Sequence, residues 1–260
     1  MKRVLNVVAV VAIACASHST SQSQAILGPV STGFGVLAGS TVTNTGATVV
    51  TGNVGVSPGS AITGFPPGTI VSGVQHINDA VAVTAQNETT TAYNTIANEA
   101  FNTDLSGQNL GGMTLLAGVY HFSSSAQLTG ILTLNALGNS NARFDFQIGS
   151  TLTSASNAQV NIMNGGTGNT VYWQVGSSAT LGTNTQYLGT VMVLTSITMN
   201  TGSSDTCGRM LARNGAVTLD TNAIGPCSAS ASTPEPGIVG MMLGSGVGGL
   251  LFLRKRIKRN

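Results

Sequence analysis

The chain has 260 residues, only 7% of them charged, with a formal net charge of +2. Between residues 17 and 232 the charges are Arg143, Arg209 and Arg213 against Asp79, Glu88, Glu99, Asp104, Asp145, Asp205 and Asp220, with no lysine, so the basic excess belongs to the two ends. Three cations leave no electrostatic footprint for nucleic acid, which is excluded as a partner.

In chain order, Met1-Lys2-Arg3, the apolar run Val4 to Ala14 and the small-residue triplet Ala14-Cys15-Ala16 read as a secretory signal peptide over 1–16, or 1–25 if cleavage follows Ala25. Signal peptidase is then a partner during export. Ala12-Ile13-Ala14 is a poor lipobox, which argues against a lipoprotein anchor at Cys15. Residues 26–72 are rich in Thr, Val and Gly, and β-branched alternation broken by Gly and Pro predicts short strands and tight turns. Residues 79–100 lack Gly and Pro and carry Ala82, Gln86, Tyr93, Ile96, Ala97 and Ala100 near helical spacing. One helix is predicted there, with Asn78 as N-cap and Asp79 favoured by the helix dipole.

From Gly111-Gly112 to about Pro226 a Thr-apolar step recurs. It stands at Thr114-Leu115, Thr133-Leu134, Thr151-Leu152, Thr180-Leu181, Thr198-Met199 and Thr218-Leu219, at intervals of 19, 18, 29, 18 and 20 residues. A period near 20 marks one unit stacked on itself, because a single unit cannot bury its own apolar side. A second apolar strand precedes the steps, as at Val119–Phe122, Arg143–Phe146, Val171–Gln174, Val191–Leu194 and Arg209–Ala212, and Asn135, Gly182, Asn200 and Asp220 suit corners.

Beyond the corners stand hydroxyl residues. With Asn200-Thr201-Gly202 set over Asn44-Thr45-Gly46, one column reads Thr45, Ser154, Thr183, Thr201 and Thr221; two residues on stand Ala47, Ser156, Thr185, Ser203 and Ala223. The strand period of two is expected to point both columns the same way, making a flat, uncharged face. Threonine's stiff χ1 fixes hydroxyl and methyl together, so such a face suits a periodic partner, and an ice crystal surface is the candidate. The Thr-apolar column is expected on a different face. Threonine rows also stabilise strands in their own right, which is the competing structural reading.

Cys207 and Cys227 are an even pair, 20 residues or one repeat apart, in a chain read as exported. A disulfide is expected, with two buried free thiols as the alternative. Residues 228–236 read as a small-residue linker. In 233–260, Thr233-Pro-Glu-Pro-Gly237, the apolar stretch 238–253 and an Arg/Lys-rich end stand in order. This tail resembles the PEP-CTERM sorting signal of Gram-negative bacteria. The resemblance implies an exosortase as partner, transient membrane association through the tail, and a secreted, cell-surface or extracellular-matrix location. An ordinary tail anchor is the alternative.

Several longer blocks resemble one family. They include Leu37-Ala-Gly-Ser-Thr-Val-Thr-Asn-Thr-Gly46, Gly55-Val-Ser-Pro-Gly59, Thr63-Gly-Phe-Pro-Pro-Gly68, Trp173-Gln-Val-Gly-Ser-Ser-Ala-Thr180 and Ala212-Arg-Asn-Gly-Ala-Val-Thr218. They are similar to the signature blocks of the microbial ice-binding-like (antifreeze) family, over about residues 27–225. The resemblance implies an all-β domain over 27–227, a right-handed discontinuous β-solenoid of triangular section with a single long helix alongside. It also implies an exported, non-enzymatic protein that binds ice and inhibits recrystallisation through one flat face. Thr45-Gly-Ala-Thr48 and Thr167-Gly-Asn-Thr170 fit the family's Thr-Gly/Ala-x-Thr/Asn element, and Thr201-Gly-Ser-Ser204 fits in part.

No catalytic set, metal-ligand spacing or cofactor motif stands in the sequence. His76 and His121 read as structural, Asp145 as ion-paired or exposed, and Trp173 as core rather than a sugar platform beside Tyr172. The alternative function is a non-enzymatic matrix protein or adhesin associated with exopolysaccharide.

Overall fold

The computed structural model describes residues 26–227; the expected signal segment, the 228–236 linker and the sorting tail with its apolar stretch lie outside the described residues. Most turns of chain add a strand to sheet A, then sheet B, then sheet C, with an isolated bridge standing in for sheet B at Asn109 and for sheet C at Gln186, and every pairing between strands is parallel. In spatial order sheet A holds Gln75–Ile77, Asn53–Val56, Phe34–Ala38, Arg209–Ala212, Thr190–Val193, Thr170–Val175, Arg143–Ile148, Gly118–Phe122 and Thr103–Asp104. Sheet B holds Ala126–Leu128, Leu152–Ser154, Ala179–Leu181, Ile197–Met199, Val217–Leu219, Thr41–Asn44 and Ala61–Thr63. Sheet C is in two pieces. Gln159–Met163, Ile131–Asn135 and Thr114–Leu116 form one, and Ser204–Asp205, Ala223–Ile224, Val49–Thr51 and Thr69–Val71 the other. Gln186 bridges from Gln159 to Ser204 across the gap.

The stacking order departs from chain order at one place. Phe34–Ala38 pairs with Arg209–Ala212, so the first turns continue the stack from its last turn. The chain then crosses to the opposite end, where Thr103–Asp104 starts the remaining turns against Gly118–Phe122. The crossing is made by the helix Ala80–Ala97, about 27 Å long at 1.5 Å per residue.

That helix is shorter than the 79–100 expected, and its cap is Asp79 instead of Asn78. Asn78 adopts φ 47°, a left-handed turn out of the preceding strand, so Asp79 takes the extended cap conformation and accepts the Ala82 amide at 2.8 Å. At the other end Gln147 Nε2 donates to the carbonyls of Ile96 (2.6 Å) and Glu99 (2.8 Å), which draws residues 99–100 off the helical path. The helix buries Ala82, Ala85, Gln86, Thr89, Ala92, Tyr93 and Ile96, an i, i+3, i+4 stripe. Ala85, Ala92, Tyr93 and Ile96 pack with Leu37, Tyr172, Met192 and Leu211 on the outer side of sheet A. Tyr93 Oη donates to the Val175 carbonyl, and Gln86 Nε2 to that of Ala212.

The core lies between the sheets. Tyr120, Phe146 and Trp173 stand in register on the inner side of sheet A, the last two with ring centroids 3.9 Å apart and nearly parallel. Trp173 is fully buried and donates Nε1–H to the Leu188 carbonyl, so it packs in the core. The Thr-apolar repeat is less uniform than its spacing suggests. Thr180, Thr198 and Thr218 lie on sheet B, whereas Thr114 and Thr133 lie on sheet C and Thr151 precedes its strand.

Ile96 is fully buried where the helix meets sheet A. Ile96→Ala is expected to cost about 2–5 kcal/mol of unfolding free energy, read by urea denaturation. A loss below about 1 kcal/mol would mean that the helix contributes little to the stability of the stack.

Candidate functional site

Sheet B presents a surface built by strict alternation. Leu152, Ala179, Ile197, Val217 and Val42 point inward and are buried. Between them and the next inward residue stand Thr153, Thr180, Thr198, Thr218, Thr43 and Thr63 on the outer side, each paired in register with the next. One strand step earlier a second outer row reads Thr151, Ser178, Ser196, Ala216, Thr41 and Ala61, and all six are half-buried. Rungs repeat at about 4.8 Å, and outer neighbours within a strand lie about 6.6 Å apart. The result is a two-row lattice, six rungs long, of small uncharged side chains.

The hydroxyls of the main threonine row make no hydrogen bond to any described residue, so they are free to meet water. The second row is partly engaged: Ser196 Oγ accepts the Ala216 amide at 3.1 Å, and Ser125 and Thr151 share a hydroxyl contact at 2.8 Å. Threonine χ1 stiffness then fixes each free hydroxyl beside its methyl.

The residues singled out by sequence do not form one face. Ser154, Thr185 and Ser203 are buried. Ser154 falls on the inner side of its strand, where its Oγ accepts the Gly182 amide at 2.9 Å and meets Thr185 Oγ1 at 3.1 Å. Ser203 Oγ accepts from Asn222 Nδ2 at 3.0 Å. Thr45, Ser156, Thr183, Thr201 and Thr221 are exposed, but at the corner where the chain leaves sheet B. There Thr201 and Thr221 both donate to the Asp220 carboxylate, and these bonds hold Asp220 below its ordinary pKa. With Asp220 charged and the Thr201, Thr221 and Thr45 hydroxyls already engaged, that part of the corner differs chemically from the open lattice. The signal for the lattice was in the sequence: Thr180, Thr198 and Thr218 each sit between two apolar residues, an alternation that turns them outward.

Comparison with known proteins bears on this surface. The family model described as ice-binding-like matches residues 36–225. An ice-binding protein of Nostoc sp. (strain HG1) is 53% identical over 249 residues, covering 94% of this chain and 91% of that protein. An ice-binding protein of Colwellia sp. is 32% identical, covering 74% of this chain and 79% of its own length. Among solved structures, an ice-binding protein from an Antarctic biological consortium is similar with a TM-score of 0.70 at 45% identity, over 76% of this chain and 89% of that one. One from the Antarctic ascomycete Antarctomyces psychrotrophicus gives 0.73 at 38% identity, over 78% and 99%.

The titratable groups serve structure elsewhere. His76 Nδ1 pairs with Asp79 at 2.7 Å, and His121 stacks on Phe101 with centroids 4.6 Å apart. Asp145 is buried and bonded through its carboxylate to Arg143, which also holds Glu99 at 2.7 Å. Burial pushes the Asp145 carboxyl upward against the pull of Arg143. No group of His, Cys, Asp and Glu among the described residues is arranged to hold a metal ion. Asp205 is fully buried and accepts the Cys207 amide at 3.3 Å, while its Oδ2 meets no described partner.

Burial pushes the Asp205 carboxyl from 3.8 up to about 8. The folded state therefore keeps the proton that the unfolded state gives up. The stabilisation is complete below about pH 4 and fades as pH rises towards 8. Asp205→Asn keeps an acceptor oxygen and cannot ionise. It is expected to match wild type near pH 4 and to exceed it at pH 9 by about 1 kcal/mol or more. Denaturant titrations across that range test this, and parallel pH profiles would refute it.

Proposed function

The chain belongs to the ice-binding-like family, and from that premise we propose that it binds ice through the outer rows of sheet B, Thr153 to Thr63 and Thr151 to Ala61. The observation that carries this is the unbroken row of six in-register threonines whose hydroxyls have no described protein partner. Each contact with ice or ordered surface water is weak. Many on one rigid lattice add without much loss of side-chain freedom, because small β-branched side chains have little to lose. Charges are absent from both rows, so no ion must be stripped of water on docking. The exposed corner residues Thr45, Ser156, Thr183, Thr201 and Thr221 border this face and do not form it.

The same reading covers the finer features. The winding is right-handed and the section triangular, as the family resemblance implies. The protein is exported, its tail is a PEP-CTERM signal processed by an exosortase in a Gram-negative bacterium, and it acts without catalysis. The similarity to the Nostoc relative supports a role for the ends, since it covers 94% of the chain, more than the described residues supply. Cys207 and Cys227 meet sulfur to sulfur on neighbouring turns, which supports a disulfide in the exported protein.

Two measurements follow. The exported protein should resist alkylation at Cys207 and Cys227 until reduced, and reduction should cost about 3 kcal/mol of stability for a loop of this length; two freely alkylated thiols by mass spectrometry would exclude the bond. For the face, Thr198→Tyr should remove most thermal hysteresis and recrystallisation inhibition with an unchanged circular dichroism spectrum. Thr201→Tyr, at the corner, should leave at least half. The reverse ranking would move the site to the corner, and an inactive, folded wild-type protein would end the ice-binding reading.

A further inference from the structure

A cleft of about 230 Å³ opens beside sheet A, where the chain arrives from sheet C. Along it runs the row Tyr172, Thr190 and Arg209, paired in register on neighbouring strands. Parallel pairing in register keeps all three side chains on one side of the sheet. It is the outer side, because Tyr172 packs in the cluster under the helix. The connection through Thr167 and Asn169 and the Cys207–Cys227 link complete the lining. No lining residue belongs to sheet B.

The polar groups of this cleft are not used up by the fold. Arg143 holds Glu99 and Asp145, and Arg213 lies against the Tyr93 ring, whereas Arg209 has neither a carboxylate nor a ring among the described residues. Its Nε and Nη2 donate to the Thr32 carbonyl at 3.2 and 2.9 Å, which leaves three of its five N–H groups without a described acceptor. The neighbouring carboxyl of Asp205 is fully buried and pushed up to about 8, so it is mostly uncharged at neutral pH. Asp145, next in the row beyond Tyr172, is already paired with Arg143. Tyr172 Oη and Thr190 Oγ1 make no hydrogen bond to any described residue, and Thr170 Oγ1 in the same lining is buried without a partner. Buried polar groups ordinarily have partners, so a cluster of unused ones around a cation points to a ligand.

The free edge of a guanidinium is flat and takes a carboxylate through two parallel N–H···O bonds. One cation matches one negative charge, which favours a carboxylate over a doubly charged phosphate. Hydroxyls that both donate and accept suit the hydroxyls of a sugar. The volume lies below the roughly 300–1,000 Å³ of pockets that enclose drug-sized ligands, so it admits one ring. We propose that this cleft binds a sugar acid, a single hexuronate unit with its carboxylate on Arg209 and its hydroxyls on Tyr172 and Thr190. The free acid and one unit of a polymer share this chemistry. The cleft and the threonine rows have no residue in common, so ice and the sugar acid are bound independently, and the inference stands apart from the ice-binding reading.

Calorimetric titration of the full chain with glucuronate, glucose and sulfate tests this. Glucuronate should bind roughly tenfold or more tighter than glucose, and Arg209→Gln should remove that advantage. Tyr172→Phe keeps the ring and loses only the hydroxyl. It should weaken glucuronate binding by about threefold with an unchanged circular dichroism spectrum. Arg213→Gln, away from the cleft, should bind glucuronate as wild type does, and Arg209→Gln should keep the wild-type thermal hysteresis. A trisaccharide of glucuronate that binds more tightly than the single sugar assigns the site to a polymer, and equal binding assigns it to the free acid. Glucuronate binding no tighter than glucose would overturn the proposal, as would binding that neither Arg209→Gln nor Tyr172→Phe weakens. Sulfate displacing glucuronate at equal concentration would overturn the sugar-acid assignment, because the cleft would then hold any small anion.

Discussion

The contact on which the rest depends is the parallel seam between the first and last turns. Val36 pairs with Met210 on sheet A, Thr43 with Thr218 on sheet B, and Val49 with Ala223 on sheet C. These partners lie about 174 residues apart in sequence, and closing a loop of that length costs on the order of 5 kcal/mol of chain entropy. What offsets it is distributed over all three sheets and the docked helix, which carries the chain from one end of the stack to the other. Without the seam the threonine row would end at Thr218. With it, Thr43 and Thr63 extend the same row in register, and four rungs become six.

Register is also what decides which residues face outward. A one-residue shift in a strand moves every side chain to the other side. The apolar strands of sheet A and the helix were legible because their signals are long. Trp173 and its neighbours alternate over six residues, and residues 79–100 have no Gly or Pro. The face was not legible from hydroxyl columns alone. Ser and Thr also serve inside, where they satisfy the amides that a tight corner leaves unpaired. Ser154 does this for Gly182, and Thr185 Oγ1 donates to the Ala155 carbonyl at 3.1 Å. A hydroxyl at a corner is thus ambiguous, whereas a threonine between two buried apolar neighbours is not. The period near 20 was real but composite, since Thr114 and Thr133 belong to a different sheet from Thr198.

The corner between sheets B and C stiffens the face next to it. Asn44 Nδ2 donates to the carbonyls of Gly46 (2.6 Å) and Gly64 (2.8 Å), while its Oδ1 accepts from Thr48 at 2.6 Å. Asn222 donates to the carbonyls of Asn200 and Ser203, and its own amide donates to Thr48 Oγ1 at 3.0 Å. These buried side chains link successive turns across the seam. A fully satisfied buried polar network resists deformation because each bond lost would leave an unpaired group in a low-dielectric interior. The corner thus ties together the turns that carry Thr198, Thr218, Thr43 and Thr63.

Charge is distributed to match. Arg143 serves Glu99 and Asp145, Arg209 donates to the Thr32 carbonyl at 2.9 Å, and Arg213 lies 4.6 Å from the Tyr93 ring centroid. All three arginines stand on sheet A or just beyond its strands, where they brace the helix and the entering chain. A long cation on sheet B would project beyond the threonine methyls and hold a hydration shell that costs several kcal/mol to remove. Keeping such groups on the helix side serves both purposes at once. It gives the covered sheet the polar contacts that fix the helix, and it leaves sheet B with small uncharged side chains on its outer side.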